Sequence, residues 1–281
     1  AQITKSDQIV LGKSSSPPDV YIPGNVGIGT INPSKKLDVN GDALINTLTV
    51  GKGGGNISTN TTVGIDALSI NSTGINNTAF GSQALKKNTT GNYNVASGHQ
   101  ALYSNTIGNF NVASGRTALY SNTTGNNNVA VGTSTLYYNT TGNNNVATGY
   151  QALNQNTTGY DNVATGYQAL NKNTIGRHNV AVGTSTLYYN TTGEDNTAMG
   201  HQALQSNTTG YDNVATGHNA LQNNTTGHHN VATGPYALLN NTTGHYNIAS
   251  GYKALYNSQT ISSNIGIGYQ ALYNNTNHTH N

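Results

Sequence analysis

Thr78 to Asn94 reads TAFGSQALKKNTTGNYN; the next seventeen residues, Val95 to Asn111, read VASGHQALYSNTIGNFN, and Val112 to Asn128 read VASGRTALYSNTTGNNN. The register continues without insertion to Asn281, and a looser copy, TTVGIDALSINSTGINN, occupies Thr61 to Asn77. Thirteen consecutive short units mark a solenoid, in which each unit buries its apolar side by stacking on its neighbours. Seventeen residues are too few for a helix pair or for a propeller blade of about 40 residues. Two short strands joined by corners fit. The expected strands in one coil are Asn94–Ser97 and Gln100–Tyr103.

Positions within the unit keep their character. The fourth is Gly throughout, as in Gly64, Gly81, Gly98 and Gly115, and the eighth is Leu in every copy, as in Leu85, Leu102 and Leu119. The second is mostly Ala, as in Ala96, and the last mostly Asn, as in Asn94 and Asn111. Stacking at about 4.8 Å sets each residue over its equivalent, so Leu, Val and Ala form internal ladders and the Asn amides chain along the axis. The run Asn88 to Gly91, NTTG, reads as a corner whose Gly supplies a positive φ. The fold class is therefore all-β: a parallel β-solenoid, or β-roll, of thirteen coils over residues 61–281, with a small N-terminal β module over 1–60. Thirteen rungs make a rod of roughly 60 Å.

Composition agrees. Charged residues are 7 % and aromatics 7 %, against 34 Gly and 46 Asn. Chains that stay disordered are typically rich in charge and Pro, and this one has only 5 Pro. A net charge of +2 leaves no electrostatic footprint for nucleic acid, and no apolar run reaches the length of a membrane span. The absence of Cys removes disulfides and thiolate zinc sites. Ala1-Gln2-Ile3 in place of an initiating Met suits a secreted chain after signal cleavage.

The pattern Val-Ala-x-Gly-x-x-Ala-Leu after Asn resembles the head repeat of trimeric autotransporter adhesins, which stack short coils into a β-roll and trimerise. The NTTG variant is similar to repeats of phage tail fibres and of large bacterial surface fibres. The stretch Ile22-Pro23-Gly24-Asn25-Val26-Gly27-Ile28-Gly29-Thr30, continuing to Lys36-Leu37-Asp38-Val39, resembles a connector of the same fibres. These resemblances imply a homo-oligomer, a trimer, and a place outside the cell or on a virion. The thin interior of each coil points the same way, since one Leu, one Val and two small residues barely form a core.

The N-terminal module holds short strand candidates at Gln8–Leu11, Val20–Ile22 and Ala43–Val50, with a tight turn at Asn40-Gly41. At the other end, Ile265, Ile267, Ala271 and Leu272 keep the internal pattern in the final coil. An extended segment carrying Ile3, Ile9, Val10 and Leu11 is expected to dock there by strand addition, giving a head-to-tail polymer.

Nine His invite a metal reading, above all His228-His229 and His278-Thr279-His280. His228 and His229 occupy a corner that other coils fill with Asn, Tyr, Asp or Arg, so no metal or other cofactor is expected. Asp161, Asp195 and Asp212 share one equivalent corner position and read as solvated. Ser, Thr and His recur as repeat positions and form no unique nucleophile–base constellation, so no catalytic residue is assigned. The clearest break is Ser258 to Ser263, SQTISS, where NTTG is lost. Tyr103, Tyr120, Tyr137 and Tyr150 face outward, either as stiffening cross-coil stacks or as platforms for cell-surface glycans. Asn88, Asn122, Asn139, Asn156, Asn190, Asn207 and Asn241 begin N-x-[ST] sequons. Thr89-Thr90, read as strand residues, face opposite ways and make no flat array of the ice-binding kind. The expected function is a structural, non-enzymatic subunit of an extracellular filament, with a phage tail fibre or receptor-binding rod as the alternative.

Overall fold

The computed structural model describes residues 2–3, 9–10, 26–28, 30, 32–35, 37–39, 42–45 and 48–276. Leu11, Val20–Ile22, Asn40-Gly41, His278 and His280 lie outside them. The chain forms two compact units, residues 1–43 and 44–281. In the first, β1 (Gln2–Ile3) pairs antiparallel with β2 (Ile9–Val10), and β3 (Val26–Ile28) pairs parallel with β4 (Leu37–Val39).

The second unit is the solenoid. One strand per coil, from β7 (Thr61–Val63), β8 (Thr78–Phe80) and β9 (Val95–Ser97) to β19 (Ile265–Ile267), stacks into a parallel ladder. The register steps by seventeen throughout: Ala96 pairs with Ala113, Ala113 with Ala130 and Ala130 with Ala147. With position 1 of a coil at Val95 and position 17 at Asn111, equivalent positions therefore lie over one another. Before the first coil, β5 (Ala43–Ile45) and β6 (Leu48–Gly51) extend the same sheet, and β6 runs antiparallel to β7. A 3-10 turn at Gly54–Asn56 follows, and Gly54 N–H donates to Leu68 O at 2.9 Å. Residues 48–56 thus lie against the first coil and occupy part of its ladder, which a solenoid terminus needs.

The second expected strand, Gln100–Tyr103, is not extended. Gln100 and Leu102 have φ of 57° and 51°, and the same positions repeat these values along the unit. This wall still bonds from coil to coil: Gln100 N–H donates to Ser82 O at 3.0 Å and Leu102 N–H to Ala118 O at 2.9 Å. A left-handed non-Gly residue costs roughly 1–2 kcal/mol. Leu102 is fully buried, and burying such a side chain returns about 1.5–3 kcal/mol. The strain holds because the Leu is inside.

What lies inside also differs from expectation. The Leu column and both Ala columns, such as Ala96 and Ala101, are buried within the single chain up to Leu255. The Val column is not. Val95 and Ser97 face outward while Ala96 between them faces in, because alternate strand residues point to opposite sides. The interior is closed by small residues: Ala sits where the coil is narrow, and the larger β-branched residue stays outside. Thr135 and Thr186 replace an inward Ala, and their hydroxyls donate to Gly149 O and Gly200 O at 2.6 Å. Their polarity is thereby satisfied.

Two columns of fully buried Asn complete the core. Asn105 Nδ2 donates to Asn88 Oδ1 at 2.8 Å and to Gly108 O at 3.0 Å, and this pattern recurs at each step up to Asn241. In the other column, Asn111 Nδ2 donates to Asn94 Oδ1 at 3.1 Å and to Gly125 O at 2.8 Å, while Asn111 N–H also donates to Asn94 Oδ1 at 3.0 Å. The Asn94–Asn111 chain was expected; the Asn88 column was read only as a corner. Gly91 needs no positive φ. It is Gly because an added Cβ would strike Asn88 Oδ1 in its own coil and Gly108 O in the next. The positive φ belongs to the other Gly column, 137° at Gly98 and 138° at Gly115.

Candidate interaction surfaces

With the core closed within one chain, function rests on what the coils display outward. The strand face carries positions 1 and 3. Position 1 is β-branched in all thirteen coils, and neither column contains a charged residue. Its exposure is substantial, 36 % at Val163 and 41 % at Ile248. The side chains stand out because the Ala between them is turned in.

Aromatic columns run along two other lines. Tyr103, Tyr120 and Tyr137 stack in parallel with centroids 5.1 and 4.9 Å apart, and Tyr150 stacks on Tyr167 at 5.3 Å. These are cross-coil stacks of the offset parallel kind. Burial pushes the Tyr137 phenol above its ordinary value, with Tyr120 and Tyr138 adding to the rise. Tyr138 and Tyr189 stand edge-on to Tyr137 and Tyr188, at 4.7 and 4.6 Å.

The corner at positions 15 and 16 carries four of the five acidic residues of the coils, and Arg177. Arg177 pairs with Glu194 at 2.6 Å and donates to Tyr160 Oη at 3.0 Å. His178 lies between Asp161, at 3.6 Å, and Asp195, at 3.1 Å, and His229 is 3.6 Å from Asp212. All are exposed pairs on a solvated edge, of the kind that contributes little to stability. Among the described residues no group of three His, Asp or Glu is arranged to hold a metal ion. His228 instead stacks between Tyr211 and His245, at 4.6 and 4.8 Å.

The sequon residues are spent on the fold. Asn88, Asn122, Asn139, Asn156, Asn190, Asn207 and Asn241 are fully buried, and their amides donate within the ladder, as Asn139 Nδ2 does to Asn122 Oδ1 at 2.8 Å. A glycan on any of them is incompatible with the closed coil. Thr89 and Thr90 lie in a corner and not on a strand, so both stay outside; Thr89 Oγ1 donates to Thr106 O at 2.9 Å.

The break at Ser258–Ser263 has a packing logic. Ser258 takes the place of the buried Asn, and Ile261 takes the place of Gly. The shorter Ser removes the oxygen that would meet a Cβ there, so Ile fits and is itself buried. One atom is left over: Asn241 Oδ1, which would accept from the next Asn, has no partner. Asn257, Gln259, Thr260, Ile261, Asn274 and Thr276 line a groove of about 450 Å³ at the break.

Of the residues proposed for docking, Ile265 and Ile267 are 55 % and 71 % exposed, and Leu272 packs against the core. Ile3 belongs to β1, and Ile9 and Val10 belong to β2, paired with one another. No helix among the described residues is long and apolar enough to cross a membrane. Comparison with protein-family models, curated proteins and solved structures finds no match.

Proposed function

We propose that this chain is a non-enzymatic structural subunit of an extracellular fibre, associating laterally with copies of itself, most simply as a trimer, and acting as a rigid spacer or attachment rod. The unbroken seventeen-residue ladder from β7 to β19 carries this reading. Such an arrangement resists bending and pulling through continuous hydrogen-bonded columns, and it devotes its constant residues to stacking.

The reason for expecting partners shifts from the interior to the exterior. The column Leu from Leu68 to Leu255 are buried without help from a second chain, so the apolar surface left for a copy along these coils is the outward strand face. A stripe of half-exposed β-branched residues along about 60 Å is the kind of patch that marks an interaction site. Substituting Val146→Lys and Val163→Lys together is expected to yield monomers in light scattering while leaving the β-rich circular dichroism unchanged. Wild-type protein that is monomeric at micromolar concentration would count against lateral association. Electron microscopy of the native material tests the fibre itself, and separate globular particles would refute it.

A further inference from the structure

Val129–Gly142 and Val180–Gly193 are identical, VAVGTSTLYYNTTG, and stand three coils apart. The solenoid therefore presents the same Tyr pair twice on one side, at a separation of about 14 Å. Tyr138 and Tyr189 are 51 % and 49 % exposed, and each is braced edge-on by the Tyr before it. Around Tyr138, positions 10 and 12 bound a channel, because the Asn at position 11 turns inward; from there to Tyr189, position 10 is held by Gln155 and then Lys172. Ser121, Tyr138, Thr140, Gln155, Thr157 and Thr174 line about 500 Å³ of it.

The chemistry of this channel is specific. Thr140 Oγ1 donates to Thr157 O at 3.0 Å, and Thr157 Oγ1 to Thr174 O at 2.9 Å. Their protons are committed, so these hydroxyls meet a ligand as acceptors. The backbone is committed as well: Tyr138 N–H donates to Asn154 O and Thr140 N–H to Thr157 O, at 3.0 and 2.9 Å. A peptide adding itself as a strand would find no free N–H partners in these coils. A ligand suited to the channel offers many hydroxyl donors and apolar ring faces to lie on Tyr.

We propose that the channel beside Tyr138, continued past Lys172 to Tyr189, binds an oligosaccharide, stacking sugar faces on the two Tyr and donating sugar hydroxyls to the Thr column. This goes beyond the filament role and stands independently of it. Tyr side chains suit the task because they give large contact area with few rotors to freeze.

The test is affinity measurement of the full chain against cello-, malto-, xylo- and chito-oligosaccharides of three to six sugars. At least one series is expected to bind saturably. Tyr138→Ala and Tyr189→Ala should each weaken it about tenfold, the loss of one aromatic stacking contact. Tyr150→Ala, an exposed Tyr on another column, should leave it unchanged. Thermal unfolding of each variant separates binding from folding, since these rings lie outside the core. The proposal is overturned if no series binds, or if the two Tyr variants bind as the wild type does while folded. Fibres seen by microscopy with both variants would show that the filament reading survives either result.

Discussion

Asn128→Asp is expected to destabilise the solenoid more than Asn128→Ala at pH 7, and to recover as the pH falls towards 4. In the native ladder Asn128 Nδ2 donates to Asn111 Oδ1 at 3.2 Å and to Gly142 O at 2.8 Å. Its Oδ1 accepts from Asn145 N–H at 3.0 Å and from Asn145 Nδ2 at 3.1 Å. Removing the side chain orphans two buried donors of Asn145, at about 1–3 kcal/mol each. A carboxylate would still accept from Asn145, but it would point at the oxygens of Asn111 and Gly142 with no cation nearby. Burial then raises the folded-state pKa of that Asp above its unfolded value. Stability is lost as pH rises from the unfolded pKa through the folded one, and it is regained in acid, when the protonated group donates once more. Urea unfolding at pH 4 and pH 7 reads the sign. An Asp variant less stable at pH 4 would contradict the fully buried ladder. Because coils interact only with their neighbours, hydrogen exchange should show the opening centred on the coils around residue 128.

The second large effect concerns the Gly column. Gly115 has φ 138°, and a Cβ there would lie 2.5 Å from Gly132 O and 2.7 Å from Gly132 C. Gly115→Ala combines backbone strain with overlap against the next coil, for an expected loss of about 2–6 kcal/mol. Gly268 has φ 121° but nothing within 4 Å of its added Cβ. Gly268→Ala should cost only the strain, about 1–3 kcal/mol. Chemical unfolding of the two variants compares them directly. Equal losses would mean that close approach between coils is not what requires Gly.

The period, the Gly and Leu columns and one Asn ladder are legible in the residues because stacking demands identity at fixed steps. The direction of each side chain is less so. Val95 and Ala96 are both apolar, and only the narrowness of the coil decides that Ala turns in. Gln100–Tyr103 has the length of a short strand, yet Gln100 and Leu102 are left-handed. Nothing in a non-Gly residue type announces that conformation, which a tertiary ladder imposes. Asn88 resembles a turn residue because Asn favours corners; its constancy after a variable position 10 is the available sign of burial. The Tyr138 channel could have been suspected from the repeated VAVGTSTLYY, but its acceptor character depends on hydroxyl geometry.

The constant register also makes length a free variable. Around residues 146–162 the Leu, Asn and Gly columns meet their own kind above and below, so excising Val146–Asn162 would bring Asn145 against Val163 at the same junction that Asn162 now makes. A gene losing fifty-one bases there would encode a shorter ruler of unchanged cross-section. Duplication would lengthen it as easily, which lets natural variation tune how far such a rod projects while the Leu and Asn columns stay as they are.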